Sequence, residues 1–356
     1  MSERRTCGLR RQLSGLLLFL VSIAPATAAG PRTDKYKSPR NEYGQADVRG
    51  VWNYSSDVPL QRPKEMADKL YRTRAELDKA KAERNANLEQ LAQSAAVVGA
   101  HNTFWLDWQS QIEDLRTSLI SYPANGRLPP LVDGAPRSPG FAAILADVQG
   151  IRPVRMFVGG IGKDGPEDRG LSERCIANSI GPPLTPGFDS NYIQIFQGRD
   201  HVVILNEQFH DARTVPLEAI EAPHEEVRGW FGYSRGHWDG DTLIVETRNF
   251  NDLTPSFDGA GTARGKVVTE RFMRVSADTM NYEATIVDPN TFQDRIELMI
   301  PMTKVDKRLY EFACHEGNYS MPIILSGARK QEADAHQATV AGKSSESGGA
   351  LDAGRR

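Results

Sequence analysis

The sequence predicts a mainly β protein. It reads as an antiparallel meander that closes, or nearly closes, into a barrel, with an N-terminal helical insertion and a long Pro/Gly-rich loop region. Three observations predict this. Short apolar or alternating segments recur at regular spacing between residues 192 and 314, turn clusters join them, and no helix-periodic stretch intervenes. The chain has 356 residues, 39% hydrophobic and 25% charged, enough for one or two domains. Lys+Arg 43 against Asp+Glu 46 leaves a formal charge of -3 with no basic run, which excludes a nucleic-acid partner.

In chain order, Arg4, Arg5, Arg10 and Arg11 precede the apolar run Leu16 to Ala24, followed by small residues around Ala26 and Ala28. Basic start, short apolar core and an A-x-A-like site make residues 1–28 a secretory signal peptide, too short to span a bilayer. The protein is therefore expected in the periplasm or secreted, with no integral membrane segment in the mature chain. Cys7 leaves with the leader, so Cys175 and Cys314 remain. In an oxidising compartment that pair is a disulfide candidate, with two buried thiols as the alternative.

Residues 29–47 are a polar, exposed lead-in, and 48–332 are expected to form a single β-rich domain. Val48 to Tyr54 alternates as a half-buried strand does. Residues 63–115 are a helical insertion: Pro63 suits a first turn, and Met66, Leu70, Leu77, Leu88 and Leu91 recur at helical steps. Phe104, Trp105, Trp108 and Ile112 continue that apolar face on a second helical piece. Residues 123–190 hold many Pro and Gly and read as loop with short ordered islands. Strands are predicted at 192–196, 201–205, 242–247, 267–272, 280–286, 296–300 and 309–314, with Asp239-Gly240 as a hairpin turn that needs positive φ. A short apolar helix from Pro322 to Gln331 follows, and 333–356, rich in Ala, Gly, Ser and charge, is expected to be disordered.

Gly50-Val51-Trp52 resembles the Gly-x-Trp element that opens lipocalin-type (calycin-like) barrels. That resemblance implies a Trp that plugs the closed end and stacks against a basic residue from a late strand. Five further stretches carry a second resemblance: Arg116 to Leu119, Arg174-Cys175-Ile176, Glu207 to Arg213, Ser234 to Leu243, and Ala313 to Tyr319. In these the chain, from about 48 to 332, resembles a large family of uncharacterised exported bacterial proteins. This implies a fold boundary and no reaction.

Three constellations could carry chemistry. Glu207-x-x-His210-Asp211-x-Arg213 combines carboxylate, imidazole and guanidinium, suited to acid–base work and anion clamping. The same residues could instead pin the strand's end to a loop. Arg235 and His237, just before the hairpin turn, share one side of their strand and are expected to point into the barrel. Cys314-His315-Glu316-Gly317-Asn318-Tyr319 closes the last predicted strand. His210, His237, His315, Glu207 and Asp211 are thus the candidate catalytic residues, and Arg213, Arg235, Arg174 and Tyr319 the candidate substrate-binding ones. No spacing demands a metal, no Gly-rich loop has the context of a phosphate site, and Gly-x-Ser-x-Gly is absent. The expectation is an exported, cofactor-independent enzyme of lyase, hydratase or isomerase type, doing His-based chemistry on a small, largely apolar substrate in a barrel cavity. The alternatives are a non-catalytic lipocalin-like small-molecule binder and a metal-dependent hydrolase.

Overall fold

A computed structural model describes residues 36–93, 110, 112–135, 164–172, 174–176, 181–187, 189–217 and 223–352. The expected signal peptide, the lead-in up to residue 35, and Phe104, Trp105 and Trp108 lie outside the described residues.

Alternation of apolar and polar residues generates a nearly closed antiparallel barrel of nine strands. These are β1 (Gly50–Asn53), β3 (Tyr192–Gln197), β4 (His201–Asn206), β5 (Ala212–Pro216), β6 (Tyr233–Asp239), β7 (Thr242–Arg248), β8 (Val267–Arg274), β9 (Thr279–Val287) and β10 (Ile296–Val305). A short β2 (Ile120–Tyr122) pairs with β10 beside this path. The strand order is β5-β4-β3-β1-β10-β9-β8-β7-β6, so consecutive hairpins run from β6 to β10 and β1 joins that meander to β3–β5. β5 then lies against β6 at the seam. Gly236 makes the approach possible: a Cβ there would stand 2.8 Å from Val215 Cγ1 and 3.0 Å from the Leu217 side chain. At the other end of β6, Gly240 takes φ +60° in the two-residue loop between Asp239 and Thr242, as the hairpin signal requires.

Every second residue of each strand enters the interior. Val268 and Phe272 on β8, Met280, Ala284 and Ile286 on β9, and Ile296, Leu298, Ile300 and Met302 on β10 are all buried. Trp52 closes one end. Its indole Nε1 donates to Val48 O at 2.9 Å, and the Arg274 guanidinium and Lys304 ammonium each lie 5.8 Å from its ring centre. Arg274, the last residue of β8, also donates to Asp47 O at 2.9 Å, tying that floor to the chain's entry. Basic side chains from β8 and β10 thus both lie near the Trp52 ring.

Within the expected helical insertion, the described residues 67–73 and 112–115 are not helical. A single 3-10 turn, Lys64–Met66, is followed by α1 (Arg74–Gln93). Its start is set by a capping box: Thr73 Oγ1 accepts from Glu76 N at 3.2 Å and Glu76 Oε2 accepts from Thr73 N at 2.7 Å. Leu77 is buried, but Leu70 lies before the cap and is 53% exposed, so the two share no helix face.

Two other expectations are corrected. Residues 309–314 form no strand; they run as irregular chain across the end of β4. The tail is not disordered through residue 352 but continues a helix, α2 (Ser320–Asp352). Ala, Lys, Glu and Gln favour helix, and the exposed Arg329–Glu332 and Lys330–Asp334 pairs bridge successive turns. Cys175 and Cys314 are disulfide-bonded, with Cα atoms 5.8 Å apart. Among the described residues no helix is long and apolar enough to cross a membrane.

Candidate functional site

The inward phase of β5, β7, β8 and β9 carries polar side chains at one level of the barrel. Arg213 (β5) donates through Nη2 to Glu270 Oε1 (β8) at 3.0 Å and through Nη1 to the other carboxylate oxygen. Tyr282 on β9 donates its hydroxyl to the same Oε1 at 2.9 Å. Thr247 Oγ1 lies 3.5 Å from Arg213 Nη1 and 2.8 Å from Ser234 Oγ. Glu270 is 0% and Arg213 8% exposed, so this is a bidentate ion pair removed from water. Burial opposes the Arg213 charge, and the Glu270 carboxylate more than restores it. Burial, then the Glu270 charge, drives the Tyr282 phenol well above its ordinary range, which keeps its proton in place as a donor.

Lys266 enters the same end of the barrel, one residue before β8. Its Nζ lies 4.2 Å from the centre of the Phe250 ring and 3.5 Å from Pro182 O. Burial pushes its pKa down to about 8, against the pull of Asp288 and Glu270. The end is covered by a strap, residues 181–187 (Gly-Pro-Pro-Leu-Thr-Pro-Gly), in which Pro182, Pro183 and Leu184 are buried. Leu184 N donates to the Tyr282 hydroxyl oxygen at 2.8 Å, so Tyr282 links the strap to the ion pair. Floor and cover therefore lie at opposite ends of β8: Trp52 beside Arg274, the strap beside Lys266.

Of the sequence-predicted residues, Arg213 alone enters this interior cluster. Asp211 is half-buried beside it, its carboxyl raised by burial and lowered by Arg213. Glu207 and His210 hold a neighbouring segment of chain instead. Glu207 Oε1 accepts from Tyr310 N at 3.0 Å, and His210 Nδ1 accepts from Phe312 N at 3.1 Å. The Phe209 and Phe312 rings are 4.9 Å apart over this clip, where Phe209 and His210 take positive φ of 60° and 49°.

Arg235 and His237 do not point into the barrel. Ser234, Gly236 and Trp238 hold the inward phase of β6, which leaves both on the exposed face. His315 and Arg174 border an external hollow of about 300 Å³ beside the disulfide, with Asn318 and Met321; Tyr319 is 70% exposed. The expected convergence of His210, His237 and His315 on one enclosed cavity is therefore not found, since all three are exposed. Among the described residues no three His, Cys, Asp or Glu come together as metal ligands.

Glu270, Tyr282 and Lys266 escaped the sequence reading although two of them sit in correctly placed strands. The available signal was phase. In Val268-Thr-Glu270-Arg-Phe272, the acid falls on the apolar register and the neighbouring Arg271 on the solvent one. Compared with protein-family models, curated proteins and solved structures, the chain gives no match.

Proposed function

We propose that the chain is an exported barrel, periplasmic or secreted, that takes a small, largely apolar molecule with one polar end against the Lys266–Glu270–Tyr282–Arg213 cluster. The observation that carries this reading is the cluster itself, ionised and phenolic groups gathered in an interior that apolar side chains otherwise fill. Replacing a buried ion pair by apolar residues is often neutral or stabilising, so stability alone gives little reason for these groups. Clustered groups with displaced pKa values are found at binding and reaction sites as well as in structural ion-pair networks, and here they lie under a cover. The strap is the natural entry, because it rests on Tyr282 and Lys266 through two hydrogen bonds. Export is supported by the signal-like leader and the Cys175–Cys314 bond.

A second reading is favoured by one observation. A lysine with its pKa near 8 has an unprotonated fraction near neutral pH, so Lys266 can accept a proton while Tyr282, which keeps its own, serves as a hydrogen-bond donor. This is cofactor-independent acid–base chemistry of the lyase, hydratase or isomerase kind, with Lys266 in the part the imidazoles were expected to play. The test is ligand fate. The purified protein is incubated with a mixture of small apolar alcohols, ketones and acids, and bound and free fractions are weighed by mass spectrometry. Retention without mass change supports the binder, and a mass or isomer change lost in Lys266→Met supports turnover. Neither retention nor change removes both.

A further inference from the structure

A second hollow, of about 310 Å³, lies outside the barrel between α1 and the segment 56–63. One face of α1 lines it through Leu77, Ala80, Lys81 and Arg84, residues at helical spacing, and Asp57 and Arg72 complete its polar side. Asp57 is nearly buried and accepts from both Lys81, at 3.0 Å, and Arg84. Arg72 is different. It is 7% exposed, its backbone N–H is anchored on Leu115 O at 2.6 Å, and its Nε has no hydrogen-bond partner among the described residues. Burial lowers its pKa first, and Arg84 adds to that, while Glu76, Asp57 and Asp114 act the other way. Glu76 and Asp114 are already engaged by Lys69 and Arg116.

Three cations thus face one carboxylate across a hollow that also has apolar walls. A buried guanidinium Nε left without a hydrogen bond is costly, and the group a guanidinium is shaped to receive is a planar or tetrahedral oxyanion. We propose that this hollow binds a small organic anion, a carboxylate or phosphate ester. Its charged head meets the Arg72 guanidinium beside Arg84 and Lys81, and its body lies along Val58, Pro63 and Leu77. The volume matches the lower end of small-molecule sites, which suits an anion carrying a single ring or short chain.

The full-length protein is titrated calorimetrically at low salt with phenyl phosphate, benzoate and, as the uncharged control, benzyl alcohol. Titrated into Lys266→Met, in which the barrel cluster is disabled, at least one anion is expected to bind while benzyl alcohol does not. Arg72→Met is expected to weaken that anion by about tenfold or more, and Arg84→Gln to weaken it independently should Arg72→Met fail to fold. Failure of both anions to bind the wild type, or equal binding to wild type and variants, overturns the proposal. Because the hollow is separate from the barrel interior, Lys266→Met is expected to leave this binding unchanged.

Discussion

Glu270 holds the barrel interior together at the level of single groups, since its two oxygens take both Arg213 contacts and the Tyr282 hydroxyl. Glu270→Gln leaves a buried guanidinium without its counter-charge, and urea denaturation is expected to show a loss of about 3–5 kcal/mol. The paired change Arg213→Met with Glu270→Leu should recover most of it. Lys266 acts in the opposite direction. Its folded pKa, about 8, lies below the ordinary 10.5, so between those values the unfolded chain binds more protons and stability contributed by this residue rises with pH. At pH 7 its full penalty is present. Lys266→Met is therefore expected to stabilise the protein at pH 7 by up to about 3 kcal/mol, and that gain should fade as the pH approaches 10.5. A gain independent of pH would mean that Lys266 is not held in a charge-hostile place.

Among the elements, the strap and the clip at 310–312 depend on side chains from the barrel rather than on their own pairing. Tyr282→Phe removes the acceptor for Leu184 N and one donor to Glu270. The expected result is a loss of about 1–2 kcal/mol and faster hydrogen exchange at Leu184, with exchange on the far side of the barrel, at Trp52, unchanged. Equal acceleration at both places would show that Tyr282 supports the whole fold and not the cover. Elements with strict alternation were legible before any coordinates, because β8, β9 and β10 repeat one inward phase for eight residues or more. β5 was not, because its inward positions are Arg213 and Val215 and only one of them is apolar. The 309–314 segment misled for the converse reason: its alternating look comes from Tyr310 and Phe312, whose surroundings are supplied by Glu207, His210 and Phe209 rather than by a neighbouring strand.

Across the whole molecule, the Cys175–Cys314 bond joins the loop region before β3 to the chain leaving β10, 139 residues apart. Closing so long a loop restricts the unfolded ensemble, and Cys175→Ser with Cys314→Ser is expected to lower stability by about 2–4 kcal/mol in chemical denaturation. The site itself was the least legible feature of the sequence. Imidazoles and guanidiniums at strand ends attract attention in a linear reading, yet strand phase decides which of them meet. It turned His237 and Arg235 outward and brought Glu270, which carries no motif, into contact with both Arg213 and Tyr282.

The proposed function requires a small molecule to reach the interior cluster beneath the strap. The most direct measurement is a native mass spectrum of the purified protein after exposure to the same mixture of small apolar molecules, for wild type and Lys266→Met side by side. A single small-molecule adduct on the wild type that is lost or reduced at least about tenfold in Lys266→Met is the predicted result. No adduct on the wild type, or an adduct of equal strength on both proteins, would contradict it.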